Sequence, residues 1–144
     1  MQSGARGGMV AGVEGVRVDV QTQALNMRPR NGWLGAIRIN GRPGKEVREV
    51  SERLAGAFAA IGFENPQAVV TVNLAPASIA KIGTGLDLPI VAAIYAATMD
   101  CTGWAAKRHE HVLCGEVGIH GDIRGTPGAL AVACTADAAS KLII

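Results

Sequence analysis

Val70-Thr71-Val72-Asn73-Leu74-Ala75-Pro76-Ala77 runs into Lys81-Ile82-Gly83-Thr84-Gly85-Leu86-Asp87-Leu88-Pro89-Ile90. The first part is β-branched and bounded by a Pro, which reads as a buried strand over Ala68 to Leu74. Ala75 to Leu86 is rich in Gly and small residues and reads as a loop. Asp87 is placed to cap a helix over Leu88 to Met99, with Pro89 in the first turn, where its missing N–H costs little. A strand that passes through a Gly-rich loop into a helix often carries a ligand or chemistry at the helix N-terminus. The side chains in that loop therefore decide the functional reading.

Working outward, the helix after the loop is apolar on most faces (Ile90, Val91, Ala93, Ile94, Ala97), so it belongs at the centre. Upstream, Val47, Val50, Leu54, Phe58 and Ile61 recur at spacings of three and four. That stripe predicts an amphipathic helix from Lys45 to Ile61, with Gly62 as its C′ residue. Met9 to Val20 alternates about Glu14-Gly15 and predicts a half-buried hairpin. Gln21 to Gly32 is polar and reads as a loop, and Ala36 to Asn40 as a strand. His111 to Gly115 and Val117 to Ile123 read as short strands, and Gly128 to Ser140 as a third helix. Lys141 to Ile144 begins one more strand and stops at the last residue, which reads either as an edge strand or, the favoured reading, as a fragment of a longer chain. The sum is an α/β (α+β) domain with a mixed sheet and about three helices.

The chain has 144 residues and reads as one domain. A chain this long buries roughly two-thirds of its unfolded surface. About half the residues are hydrophobic and few are aromatic, so Ala, Val, Ile and Leu build the core. The net charge of +2 does not announce a nucleic-acid partner. Its distribution says more: residues 1–54 hold nine basic and five acidic side chains, whereas residues 55–144 hold five and seven. The basic half is compatible with a phosphate-rich partner. Arg28, Arg30 and Trp33, with Lys107 and Arg108, are the candidate nucleic-acid contacts, set against the ordinary alternative of solvated loops. Cys101, Cys114 and Cys134 form no CxxC pair and read as small core residues in a reducing compartment. No apolar run reaches the ~20 residues of a membrane span, and the first residues lack a secretory apolar region. A cytoplasmic protein without a membrane is expected.

Three chemical motifs can be weighed on the residues alone. Ser78-Ile79-Ala80-Lys81 spells S-x-x-K, but the companion motifs of penicillin-recognising enzymes are missing. Lys81 there reads as solvent-exposed or as capping carbonyls. His109, Glu110, His111, Cys114 and His120 lie close in sequence. His111 and Cys114, however, fall on opposite faces of a regular strand, and no metal site is assigned. Gly83-Thr84-Gly85 precedes a helix, but the P-loop pattern G-x-x-x-x-G-K-[ST] is absent from the sequence.

Gly12-Val13-Glu14-Gly15-Val16, Ile39-Asn40-Gly41-Arg42-Pro43 and Val47 to Arg53 resemble magnesium-chelatase-related AAA+ proteins of the ComM/YifB type. So do Ile61 to Pro66, Thr71 to Ala77, Lys81, Gly83 and Asp87 to Ile90, then Gly115-Glu116-Val117 and Gly121 to Arg124. The matches run in order across nearly the whole chain. Asn73, Lys81, Gly83 and Asp87 occupy family positions of the central loop. Residues 1–144 then form a single amino-terminal domain similar to the proteolytic domain of Lon, with the ribosomal protein S5 domain 2-like fold. The resemblance implies a downstream AAA+ module that carries ATP and Mg, and no cofactor in this domain. It also implies a homo-oligomer in the full-length protein and DNA processing as its work. The family loop reads Lys-Glu-Gly-Ser-Ala-Phe-Asp, and this one departs from it. The Pro-Val-Arg-Gly after Arg124 is replaced by Gly125 to Gly128, and Leu25 to Arg30 looks inserted. Laying the Lon pattern on this chain puts the serine at Gly85 and the activating lysine at Val132, neither of which can act. No catalytic residue is therefore assigned. Two alternatives stand beside this reading: a residual Ser/Thr peptidase using Thr84, Ser78 and Lys81, and an independent nucleic-acid-binding domain.

Overall fold

In the computed structural model, residues 2–26, 37–63, 68–99, 103, 107, 108, 110–136 and 141–143 are described. The chain opens with a long antiparallel hairpin, β1 (Gln2–Ala11) and β2 (Glu14–Asn26), then β3 (Ile37–Asn40), α1 (Lys45–Ala60) and β4 (Ala68–Ala75). It continues with α2 (Asp87–Thr98), β5 (His111–Leu113), β6 (Glu116–Val117), β7 (Ile123–Arg124), α3 (Ala129–Ala133) and β8 (Lys141–Ile143). One six-stranded sheet has the order β3-β4-β2-β1-β5-β8, and β6 and β7 form a separate pair. The large sheet is mixed: β1–β2 and β2–β4 are antiparallel, and β3–β4, β1–β5 and β5–β8 are parallel. The mixed α+β architecture agrees with the sequence reading.

The sheet has two differently covered faces. Alternating residues of a strand point to opposite sides, and β1 shows this at adjacent glycines. A Cβ on Gly7 would lie 2.8 Å from Pro89 Cγ of α2, whereas one on Gly8 would lie 2.1 Å from Val132 Cγ1 of α3. Helices α1 and α2 therefore cover one face, where Val18, Val20, Val70, Val72 and Leu74 meet Leu54, Phe58, Ile90 and Ile94. A small second cluster of Val112, Cys114 and Val132 lies under α3 on the other face. Beyond α3 that second face presents cross-strand rows of polar side chains. One row is Arg38–Thr71–Gln23–Gln2 and the next is Asn40–Asn73–Gln21–Gly4.

The α1 stripe buries Val47, Val50, Leu54, Ala57 and Phe58, each large side chain contributing about 1.5–3 kcal/mol. Its end is a Schellman motif. Gly62 has φ 71 and donates to the Ala59 carbonyl, and Phe63 N–H donates to the Phe58 carbonyl at 2.9 Å. Phe58, Phe63 and Tyr95 stack at 4.9 and 5.2 Å between ring centroids and tie that end of α1 to α2.

Several expectations are corrected. The hairpin turn is Gly12-Val13, with Gly12 at φ 64 as a tight two-residue turn requires, rather than Glu14-Gly15. Gly15 instead lies in β2, where a Cβ would meet the Ala131 carbonyl oxygen at 2.0 Å. Gln21 to Asn26 is strand and not loop: Thr22 and Ala24 are buried while Gln21, Gln23 and Leu25 are exposed. Residues 27–36, with Arg28, Arg30 and Trp33, lie outside the described residues. Val117 to Ile123 is not one strand but the β6–β7 hairpin, closed by Gly118 N–H on the Asp122 carbonyl. The third helix is shorter than Gly128 to Ser140, although residues 137–140 are outside the described set. Among the described residues no helix is long and apolar enough to cross a membrane.

Candidate functional site

The loop between β4 and α2 is held by Lys81. This residue is fully buried, against the expectation of an exposed side chain, and it caps carbonyls as the alternative expected. Its Nζ donates to the Pro76 carbonyl and, at 2.8 Å, to the Ile79 carbonyl. Its backbone N–H reaches the Arg42 carbonyl, and its own carbonyl accepts from Gly44 N–H at 2.7 Å. Arg42 returns a bond from Nη1 to the Ser78 carbonyl. Lys81 is thus a strut between the loop and the turn before α1. Its ammonium goes to carbonyls, so S-x-x-K here is not a serine–lysine catalytic pair.

Burial first, and the Arg42 charge second, lower the Lys81 pKa below its ordinary 10.5. With the folded pKa below the unfolded one, stability rises as pH climbs from the folded pKa toward 10.5. A Lys81→Met variant keeps most of the packing but orphans two carbonyl oxygens. It should lose about 2–4 kcal/mol at neutral pH and lack the alkaline gain, as read by urea unfolding at a series of pH values.

Beside this strut, a pocket of about 270 Å³ opens between β1, the loop, the residues after β5 and α3. Gly85 and Val132 both line it, with Cys114, Thr126 and Thr84. These are the positions where the Lon pattern puts its serine and lysine, and the fold brings them to one cavity. A Cβ on Gly85 would sit 3.2 Å from Cys114 Sγ and 3.4 Å from Thr126 Oγ1. Cys114 Sγ and Thr126 Oγ1 are themselves 3.2 Å apart. Thr84 Oγ1 donates to Glu116 Oε2 at 2.7 Å. Gly83 has φ 76, which favours glycine there.

Asp87 does not cap α2. The N-cap is Leu86, without a side-chain bond, and Asp87 is the first helical residue. Its buried carboxylate accepts two bonds from Arg53 Nη2, at 2.8 and 2.7 Å, and one from Val117 N–H at 3.2 Å. The local cap rule lost to a partner 34 residues away on α1. Desolvation is the largest influence on its carboxyl and raises its pKa, with the bonds from Arg53 and Val117 opposing it. The first-turn N–H groups are committed as well: Asp87 N–H to the Thr84 carbonyl and Leu88 N–H to the Gly115 carbonyl, both at 3.0 Å. Pro89 has none to give, so this helix start is not built as an anion cradle.

The remaining candidates are dispersed. Asn73 is on the polar sheet face and donates Nδ2 to Gln21 Oε1 at 3.0 Å. Arg108 lies over the same face, its Nη1 3.8 Å from where a Cβ of Gly4 would be. Lys107 is exposed, and its carbonyl lies 3.3 Å from His111 Nδ1. His109 and Cys101 are outside the described residues. Among the described residues no three His, Cys, Asp or Glu side chains are grouped to hold a metal. Arg53, Glu116 and Cys114 are the site residues that sequence reasoning missed as such. Glu116 and Arg53 carried a signal only as parts of the Gly115-Glu116-Val117 and Val47 to Arg53 resemblances, and Cys114 only as a candidate in the His-Cys cluster.

The family model described as subunit ChlI of Mg-chelatase matches residues 27–144. The chain belongs to the ChlI family. Against this ChlI-family domain, the uncharacterized protein YifB of Escherichia coli (strain K12) is 38% identical over 111 residues, covering 77% of the chain and 22% of that protein. Competence protein ComM of Haemophilus influenzae (strain ATCC 51907) is 30% identical over 133 residues, covering 92% and 25%. A more distant relative is the uncharacterized protein Rv2897c of Mycobacterium tuberculosis (strain H37Rv), 26% identical over 121 residues, covering 84% and 22%. The ChlI-family domain spans about a quarter or less of the length of these relatives.

Proposed function

We propose that this chain is the amino-terminal, catalytically inert domain of a ComM/YifB-like AAA+ ATPase, built on an S5 domain 2-like, Lon-related fold. Its work is structural: it supports ring assembly of a longer homo-oligomeric protein engaged in DNA processing. ATP and Mg belong to a downstream module. The observation that carries the inert reading is the pocket wall, where glycine and valine stand at the two positions that need a nucleophile and a base. A serine hydroxyl reacts only when a neighbouring base takes its proton. Gly85 has no hydroxyl and Val132 has no amine.

A second reading, residual Ser/Thr peptidase activity, draws on the hydrogen bond from Thr84 to Glu116. A carboxylate is a far weaker base than a lysine amine, and Lys81 is engaged with carbonyls on the other side of the loop. Casein and fluorogenic peptides should therefore be hydrolysed no faster by the wild-type chain than by buffer, and Thr84→Ala and Lys81→Ala should change nothing. Hydrolysis abolished by Thr84→Ala would overturn the inert reading.

A further inference from the structure

Apart from Leu25, the exposed large apolar side chains of the described residues gather at two ends of the molecule. Helices α1 and α2 run in the same sense between those ends. Their starts meet where Gly44 N–H donates to the Lys81 carbonyl, and their finishes meet where Phe63 stacks on Tyr95 at 5.2 Å. At about 1.5 Å per residue, the two helices span about 24 and 18 Å. At the finishing end stand Ile61, Tyr95, Met99 and Ile119, each 40% to 61% exposed. Ile119 lies in the Gly118–Gly121 turn against Gly56, and Ile61 rests against Gly121. No charged residue occurs from Leu54 to Phe63 or from Leu88 to Met99. A solvated helix face ordinarily carries charges. On α1 the exposed charges Lys45, Arg48, Glu49 and Glu52 stop in the first half. At the starting end stand Val13, Ile82, Ile123 and Leu130, of which Val13 is 92% and Leu130 80% exposed. They flank the pocket of about 270 Å³, whose walls include Val10, Ile82, Pro127 and Val132. One end therefore offers a socket and the other offers apolar side chains without a cover.

We propose that the pocket is a socket for a second copy of this chain, receiving an apolar side chain from the helix ends of that copy in a head-to-tail contact. Three observations select a second copy. The pocket is smaller than the roughly 300–1,000 Å³ of sites for drug-sized molecules and suits one inserted side chain. An apolar patch at one end and a pocket at the other give a heterologous contact between identical chains, which closes into a ring or grows as a filament. The charges also match. Neither α1 nor α2 has a basic residue in its last turn, so the partial negative charge at both helix ends is uncompensated. Lys45, at the starting end, has an 87% exposed side chain, 3.8 Å from Glu49. Glu46 turns back over Gly44, its Oε2 3.3 Å from where a Cβ there would be. Lys45 is thus the charge placed to meet the helix ends of the next copy. The glycine and valine that remove the chemistry leave an apolar wall, and the socket gives that wall a use. Each patch covers roughly a few hundred Å², below the ~800 Å² per partner of a standard interface. The contact alone is therefore weak, with a Kd of about 0.1–1 mM. It gains strength where other parts of a longer protein hold copies together. The proposal rests on the ring-assembly reading and names the surfaces that meet.

The test is sedimentation velocity of the whole chain from about 10 µM to about 1 mM. Wild type should associate with rising concentration and grow past a dimer. Tyr95→Glu with Ile119→Glu breaks the finishing end, and Ile82→Glu with Leu130→Glu breaks the starting end. Each pair should weaken association at least about tenfold. Thr126→Phe, which fills the socket from its own wall, should do the same. Gln23→Lys, exposed on the sheet away from both ends, should change nothing. The deciding step mixes the two Glu pairs. Each retains one intact end, so together they should form a 1:1 dimer that grows no further, which also shows that both are folded. A wild-type monomer at about 1 mM would overturn the proposal. So would a dimer lost through one end alone, since that contact would be symmetric, or unchanged association in Thr126→Phe, since the pocket would then not be the socket. Folded Glu pairs, judged by circular dichroism, that stay monomeric on mixing would overturn it too. Each of these results leaves the inert reading standing, which peptide hydrolysis decides separately.

Discussion

Arg53→Ala is expected to lower the unfolding free energy by about 3–5 kcal/mol at neutral pH, the size of loss seen when one partner of a buried ion pair is removed. Asp87 is only 1% exposed at its side chain, and Arg53 is 21% exposed. Removing the guanidinium leaves a buried carboxylate whose remaining hydrogen-bond donor is the Val117 N–H. The reverse change is milder: without the carboxylate, Arg53 can turn toward water. Asp87→Asn should therefore cost less than Arg53→Ala, and adding Asp87→Asn to Arg53→Ala should recover part of the loss. Arg53→Lys should fall between, because both short bonds come from the single nitrogen Nη2, which an ammonium on a shorter stem replaces only in part.

The pH dependence has a definite sign. Burial already raises the Asp87 pKa above its ordinary 3.8. A group with a raised folded pKa contributes stability that is present below its unfolded pKa and lost as pH rises through the folded one. Loss of Arg53 raises the folded pKa further, so the gap between wild type and Arg53→Ala should shrink in acid and be complete at neutral pH. Chemical denaturation at several pH values checks this. A neutral-pH loss under about 1 kcal/mol, or a gap that widens in acid, would count against a buried, compensated carboxylate. The effect reaches the pocket too, since Arg53, Asp87 and Val117 fix α2 against the hairpin that carries Glu116 and so set where the loop lies.

What could be read in advance depended on how local the cause was. The α1 stripe was legible because five apolar side chains recur on one face, and β4 because its buried run is continuous. The second half of β2 was not legible. Its inward residues are the small Thr22 and Ala24, and its outward glutamines are exposed on the opposite face, so polarity hid a period of two. Gly15 read as a turn residue because glycine has the same letter for a positive φ and for a close approach, and only the position of α3 separates them. Asp87 read as a cap for a similar reason: the rule is local and Arg53 is distant. Gly85 and Val132 could be placed on one site only through the family resemblance, since 47 positions separate them and no spacing joins them. Thr126 and Cys114, which complete that pocket, stood out in the sequence only in other roles, Cys114 in the His-Cys cluster and Thr126 in the segment that departs from the family pattern.

Gly15→Ala should be among the most damaging conservative changes at the described glycines, at about 3 kcal/mol or more. The added Cβ would stand 2.0 Å from the Ala131 carbonyl oxygen and 2.5 Å from its carbon. These are backbone atoms within α3, so no side-chain rotation relieves the clash, and α3 must lift from the hairpin. Lifting it also strains the bond from the Arg17 guanidinium to the Thr135 carbonyl. It draws Val132 away from Gly8, where the two now meet closely enough that Gly8 has no room for a Cβ. Cys114, now 1% exposed beneath that contact, should become accessible. Thiol modification in a Cys101→Ser, Cys134→Ser background should accordingly speed up by an order of magnitude or more in Gly15→Ala. Gly125→Ala is the control, because a Cβ there meets nothing within 4 Å, and it should leave stability within about 0.5 kcal/mol. If Gly15→Ala stayed within about 1 kcal/mol of wild type with an unchanged thiol rate, α3 would not be seated on the hairpin as described. The pocket wall carrying Val132 would then lie elsewhere, and the proposed inert reading, which sets valine where the Lon pattern has its lysine, would lose its support.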